Sequence, residues 1–160
     1  MNAIIAGVLC GLLVLAAWLD GRYRLLPNWL AVLILCCGVA TIFTGSHAAP
    51  WWSHPGHAGI ALVIGFALFA RGWLGGGDAK TYAALALSFP MSQAFGLLAA
   101  TSIAMLAIGT VWIAVSRIRR RRAAASGPTE AVGARGDFAK IPLGVAIAAG
   151  GIAMVVLRHT

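Results

Sequence analysis

Acidic side chains are nearly missing from this chain. Asp20, Asp78, Glu130 and Asp137 are the only four, against twelve Lys and Arg, and the formal net charge is +8. Charged residues of all kinds make up 10% of the 160 residues and hydrophobic ones 61%. A soluble domain carries about 25% charged and about 45–50% apolar residues. The shortage of charge therefore argues against an ordinary soluble domain and for a polytopic membrane protein. In such a protein, excess Lys and Arg first reports topology, not a nucleic-acid partner. Cysteine is scarce too. Cys10, Cys36 and Cys37 lie in apolar runs and form no C-x-x-C pair, which removes support for a zinc ribbon or a thioredoxin-like site. They read as small hydrophobes. No Lys or Arg precedes the first apolar run, Ala3–Leu19; Arg22 and Arg24 follow it. That flank order argues against a cleaved signal peptide and for an uncleaved first span with its N-terminus outside. No internal repeat is visible, so the duplicated halves of an inverted-repeat transporter are lacking.

What is present is apolar sequence in blocks. Five stand out: Ala3–Leu19, Trp29–Phe43, Ile60–Leu74, Ala94–Val115 and Ile141–Leu157. A sixth, Ala79–Phe89, is half-length, since eleven residues at about 1.5 Å each cover only about half of a ~30 Å hydrocarbon core. Charge decides whether it crosses. With six crossings from an outside N-terminus, Arg22, Arg24, Arg71, Lys80, Arg117, Arg119, Arg120, Arg121, Arg122, Arg135 and Lys140 all lie inside, and only Arg158 lies outside. With five crossings the basic residues divide five against seven. The positive-inside rule favours six. The fold expected is thus all-α: one membrane-embedded domain over residues 1–160, with about six transmembrane helices.

The loops fit that plan. Thr44–His57 has no Lys or Arg, and Trp51 and Trp52 suit an interfacial aromatic belt. His54 and His57 make one H-x-x-H on this outer loop, too few ligands for a structural zinc, so no metal is expected. A cytoplasmic loop is predicted over about 117–139. Its basic head, Arg117, Arg119, Arg120, Arg121 and Arg122, reads as a topology anchor and a contact for anionic lipid. No nucleic-acid partner is expected, because no groove-reading or aromatic context accompanies the charge.

Six spans bring Asp20 and Asp78 to the same side of the membrane, each where an apolar helix meets the interface. Glu130 and Asp137 fall in the polar loop. A carboxylate at a membrane edge has a structural explanation: Asp78 as the N-cap of a helix after Gly77, Asp20 as an interfacial acid beside Arg22 or Arg24. That accounts for one acid at a time and not for two on one side. Two carboxylates within reach cannot both ionise easily and hold one proton between them. The ionised one takes a proton from water and the protonated one donates to a carbonyl oxygen, which is general acid–base peptide hydrolysis. The glycines ahead of Asp78 in LGGGDAK would let a substrate backbone come close. A P-loop is not present, since G-x-x-x-x-G-K-[ST] is not matched, and the histidines are not placed for a Ser-His-Asp triad.

These residues resemble the type IV prepilin peptidases. DGRYRLLPN, from Asp20 to Asn28, is similar to the family's first signature, with an arginine two residues after the acid and an aliphatic-Pro-Asn ending. LGGGDAK is similar to the second, G-x-G-D-x-K, supplied by Gly75, Gly77, Asp78 and Lys80. IPLGVAIAAG, with Pro142 and Gly144, is similar to the last-helix pattern. Leu26 stands where isoleucine is common, and Leu143 where an aromatic residue is often found.

The resemblance implies an aspartic-type endopeptidase of the bacterial inner membrane that removes the basic leader of prepilins at the cytoplasmic face, after a small residue and ahead of an apolar helix. Asp20 and Asp78 would be the catalytic pair, with no cofactor. Lys80 and Arg22 would position or tune them, Gly75 and Gly77 would make room for substrate, and Pro27 and Asn28 would shape the turn into the second span. Long members add a methyltransferase domain with two C-x-x-C pairs. None occurs here, so no methylation is expected, as in the short branch associated with Flp/Tad pili. The alternative is a non-catalytic carrier or pilus-assembly scaffold that uses the same acids to bind ions or protons. A carrier would be expected to place them near the midplane.

Overall fold

The computed structural model describes residues 2–23, 26–44, 49–126 and 143–159. They form six α-helices: α1 (Ala3–Tyr23), α2 (Asn28–Thr44), α3 (Ser53–Ala70), α4 (Gly76–Ala86), α5 (Ala94–Ser126) and α6 (Leu143–His159). A 3-10 turn, Met91–Gln93, joins α4 to α5, and the described residues contain no strand. Helices are what this composition demands, because a helix satisfies its own backbone where water is missing. Large apolar side chains such as Val63, Phe66, Phe95 and Leu106 lie exposed on the outside, which suits a lipid-facing surface. This is a membrane protein.

Among the described residues, three helical runs are both long and apolar enough to cross a bilayer: Ala3–Tyr23, Ser53–Ala70 and Met91–Ile118. With 17 residues each, α2 and α6 reach about 25 Å, and α4, with 11, about 16 Å. The shortness of α4 has a structural reason. It packs against α2, α3 and α6, while α5 lies on α6 and α1 lies on α6 and α2. Every residue from Ala83 to Pro90 is buried. The helix is wrapped by protein and need not match the bilayer. Close approach is made by small residues, as usual between membrane helices. A Cβ added to Gly38 would lie 2.9 Å from Leu87, one on Gly65 3.1 Å from Ala79, and one on Gly151 2.8 Å from Leu85.

A helix that stops inside protein leaves carbonyls without partners. Here side chains supply them. The ring Nδ1 of His54 bonds the Leu87 carbonyl and that of His57 the Phe89 carbonyl, both at 3.0 Å. Arg158 donates to the Ser88 carbonyl at 3.3 Å, and Ser53 Oγ accepts the Met91 N–H at 2.8 Å. The histidines are therefore not on an outer loop, as the sequence suggested. They are buried in the first turn of α3, which begins at Ser53 and not near Ile60. Pro55 is tolerated there because first-turn N–H groups have no intrahelical partner.

Two further boundaries differ from expectation. α1 runs on to Tyr23, so Asp20 lies within its last turn. α5 runs on to Ser126, so the segment from Arg117 to Ser126 is helix and not the start of a loop. Its Arg and Ala residues are good helix formers, and Gly127–Pro128 follows only afterwards in the sequence. The remainder of the predicted loop, with Arg135, Asp137 and Lys140, lies outside the described residues, as does Pro142.

Candidate active site

Asp20 and Asp78 each meet the start of a helix. Asp20 is buried, 7% exposed, and its Oδ2 accepts the backbone N–H of Val145 at 3.2 Å, in the first turn of α6. The positive end of a helix dipole and a free N–H favour a carboxylate there. Gly144 makes the approach possible. A Cβ on it would lie 2.9 Å from the Asp20 carboxylate and from Leu26 Cδ1.

Asp78 is the third residue of α4 and not its cap, which is Gly75 in extended conformation (φ −71°, ψ 141°). The carboxylate folds back over that cap, so that a Cβ on Gly75 would lie 2.6 Å from Asp78 Oδ2. A Cβ on Gly77 would lie 3.2 Å from Leu26, and one on Gly76 3.2 Å from the Phe69 ring. The space these glycines leave is thus taken up by the protein itself. Gly75 makes room for Asp78, and Gly77 lets α4 rest against the α1–α2 connection.

The surroundings of the two acids meet at Leu26, which lies beside Gly77, the neighbour of Asp78 in the chain, and beside Gly144, where a Cβ would also meet the Asp20 carboxylate. Leu26 carried little sequence signal beyond its place in the first signature.

Asp78 is half-buried and lines a groove of about 430 Å³ between α3 and α5, floored by α4. Leu68 and Leu74 line it near the acid, Ile64, Leu98 and Met105 along its walls, and His57 toward its far end. Its lining is almost wholly apolar. The 3-10 turn packs against both α3 and α5, and its Met91 lines the groove.

The other predicted residues are arranged around this centre. Lys80 points to a second groove, between α2 and α3, where its Nζ donates to Asn28 Oδ1 at 3.3 Å. That bond ties the two signatures together at a position away from the Asp78 groove. Pro27 lies in the connection before α2, and its carbonyl accepts the Leu30 N–H at 3.1 Å. The Arg22 guanidinium lies 5.9 Å from the centroid of the Tyr23 ring, which in turn meets Trp18 edge-on. Among the described residues no group of three or more His, Cys, Asp or Glu is placed to hold a metal.

Among known proteins, a model of the type IV leader peptidase family matches the chain over residues 7–110. The match includes both acids and the whole of α4. No curated protein and no solved structure matches the chain.

Proposed function

The chain belongs to the type IV leader peptidase family, and we propose that it is a membrane aspartic endopeptidase in which Asp20 and Asp78 together cut the leader from prepilins. The observation that supports this reading is geometric: two acids far apart in sequence, one on α1 and one on α4, have surroundings that share Leu26, which lies against Gly77 and against Gly144. One ionised and one protonated carboxylate make a complete acid–base pair for peptide hydrolysis. The ionised one takes a proton from the attacking water as its oxygen bonds to the scissile carbonyl carbon. The protonated one gives its proton to the carbonyl oxygen; the acid that took the water proton then passes it to the amide nitrogen, the other takes back a proton from the gem-diol, and the C–N bond breaks to release the amine and restore the pair.

The groove gives the substrate its orientation. Its apolar walls suit the apolar helix that follows the leader, lying among Ile64, Leu98 and Met105, with the scissile bond at Asp78. The basic leader then extends to the cytoplasmic side, and the N-terminus of the peptidase lies outside. Arg117 and the arginines after it meet anionic lipid at that same face, in the bacterial inner membrane. Lys80, through Asn28, holds the second signature on the first.

The test is to incubate the purified protein, in detergent or lipid, with a prepilin of an Flp-type pilus and read the product by mass spectrometry. One cut between leader and apolar helix is expected. Ile64→Trp and Leu98→Trp, which fill the groove, should raise KM about tenfold, since losing the fit of a buried apolar group costs roughly 1.4 kcal/mol or more. An intact cognate prepilin would put the ion-binding carrier or scaffold in place of the peptidase.

A further inference from the structure

The hydrogen bonds at the far end of α4 bear on the acids at its start. α4 meets its neighbours through small residues, with Ala79 against Gly65 and Leu85 against Gly151. Small faces let helices come close but offer few interlocking ridges against sliding along the axis. Directional bonds must then help set the height of α4; beside the exposed Lys80–Asn28 bond near its start, four of them gather on one buried turn at its end. His54 and His57 hold the carbonyls of Leu87 and Phe89, Arg158 holds that of Ser88, and Ser53 holds the N–H of Met91. A carbonyl only accepts, so each ring carries its proton on Nδ1. The bonds grip backbone and not side chain: the Ser88 hydroxyl is buried without a partner.

Arg158 stands near the end of α6, the helix whose first turn holds Asp20 through Val145. One helix therefore touches both members of the acid pair's framework. Its first turn fixes Asp20, and its last turn fixes the end of α4. We propose that His54, His57 and Arg158 are positioning residues that set the height of Asp78 against Asp20, with α6 as the spacer between them. The inference rests on the two-acid reading, and it deepens that reading by assigning to the far end of the bundle a part in aligning the pair.

The experiment uses His54→Leu and Arg158→Met, which delete a bond at positions that do not line the Asp78 groove. His54→Asn is the rescue, because an Asn amide nitrogen can donate from near the Nδ1 position. kcat and KM are measured on a prepilin, and hydrogen exchange is followed at the amides of Ala79–Tyr82 and of Leu87–Met91. His54→Leu should lower kcat about 10- to 100-fold, the scale of a displacement of about 1 Å at a reacting group, with KM nearly unchanged. His54→Asn should restore most of it, and exchange should quicken at Ala79–Tyr82 as well as at the turn. Folded variants with wild-type kcat, and faster exchange confined to Leu87–Met91, would overturn the proposal. Should His54→Leu fail to fold, Arg158→Met and His54→Asn decide between the same outcomes. If even wild type leaves prepilins uncut, the peptidase reading fails by itself. Exchange at Ala79–Tyr82 then still answers whether the turn controls the Asp78 end.

Discussion

The two ends of α4 are built from opposite materials. At its start stand three glycines and an acid. The carboxylate is half-buried and faces an apolar groove. At its end stands a fully buried turn whose carbonyls are held by two histidines and an arginine. The start is open on one side and the end is closed on all sides. The difference teaches how a helix of 11 residues can serve in a membrane at all. It is anchored at one end by side-chain hydrogen bonds, so that its other end can face a groove without lipid or water completing the structure.

If the acid end is tuned by close packing, crowding it should cost more than any change elsewhere on α4. Gly144→Val would push a side chain into Asp20 and Leu26, and peptide cleavage should fall at least about 100-fold, as expected for displacing a reacting group by roughly an ångström. The folded protein is verified by its thermal unfolding in detergent. Wild-type activity in that variant would show that the first turn of α6 does not set the Asp20 position. Gly75→Ala comes next, because its Cβ must displace the Asp78 carboxylate. A fall of about tenfold in kcat, with little change in stability, is the expected result.

Away from both ends the comparison predicts stability effects without chemistry. A Cβ on Gly150 would lie 2.6 Å from the backbone of Thr101, so Gly150→Ala should destabilise the α5–α6 contact by about 1–3 kcal/mol. It should lower the unfolding temperature and leave kcat per folded molecule near wild type. Lys80→Ala should have the smallest effect. The residue is exposed and its bond to Asn28 is long, so cleavage should change by no more than about threefold. A large loss would mean that Lys80 reaches the acids during the reaction, as the second signature alone suggested.

The acid end was legible in the sequence because rarity and spacing mark it. Few acids, a glycine run and a half-length apolar segment are local facts, and together they single out Asp20 and Asp78. The closed end was not legible. His54 is 33 residues from Leu87 and Arg158 is 70 from Ser88, so nothing local announces their bonds. The H-x-x-H spacing carried a weak signal, one turn of a helix, but the surrounding Ser, Pro and Gly made the stretch look like a loop. Leu26 was hidden for a related reason: its importance comes from touching Gly77 and Gly144, each on a different helix. The sequence hides the end of α5 because a run of charge looks like a boundary, although Arg and Ala continue a helix readily.

The central claim is that Asp20 and Asp78 act as one catalytic pair. The most direct test compares wild type, Asp20→Ala and Asp78→Ala, each verified as folded, on a purified prepilin with the products weighed by mass spectrometry. The account predicts a single cut by wild type and a loss of more than about 10³-fold in both variants, since removing either acid or base removes the whole exchange. Cleavage at the wild-type rate by either variant would contradict it and leave that acid a structural role at the start of its helix.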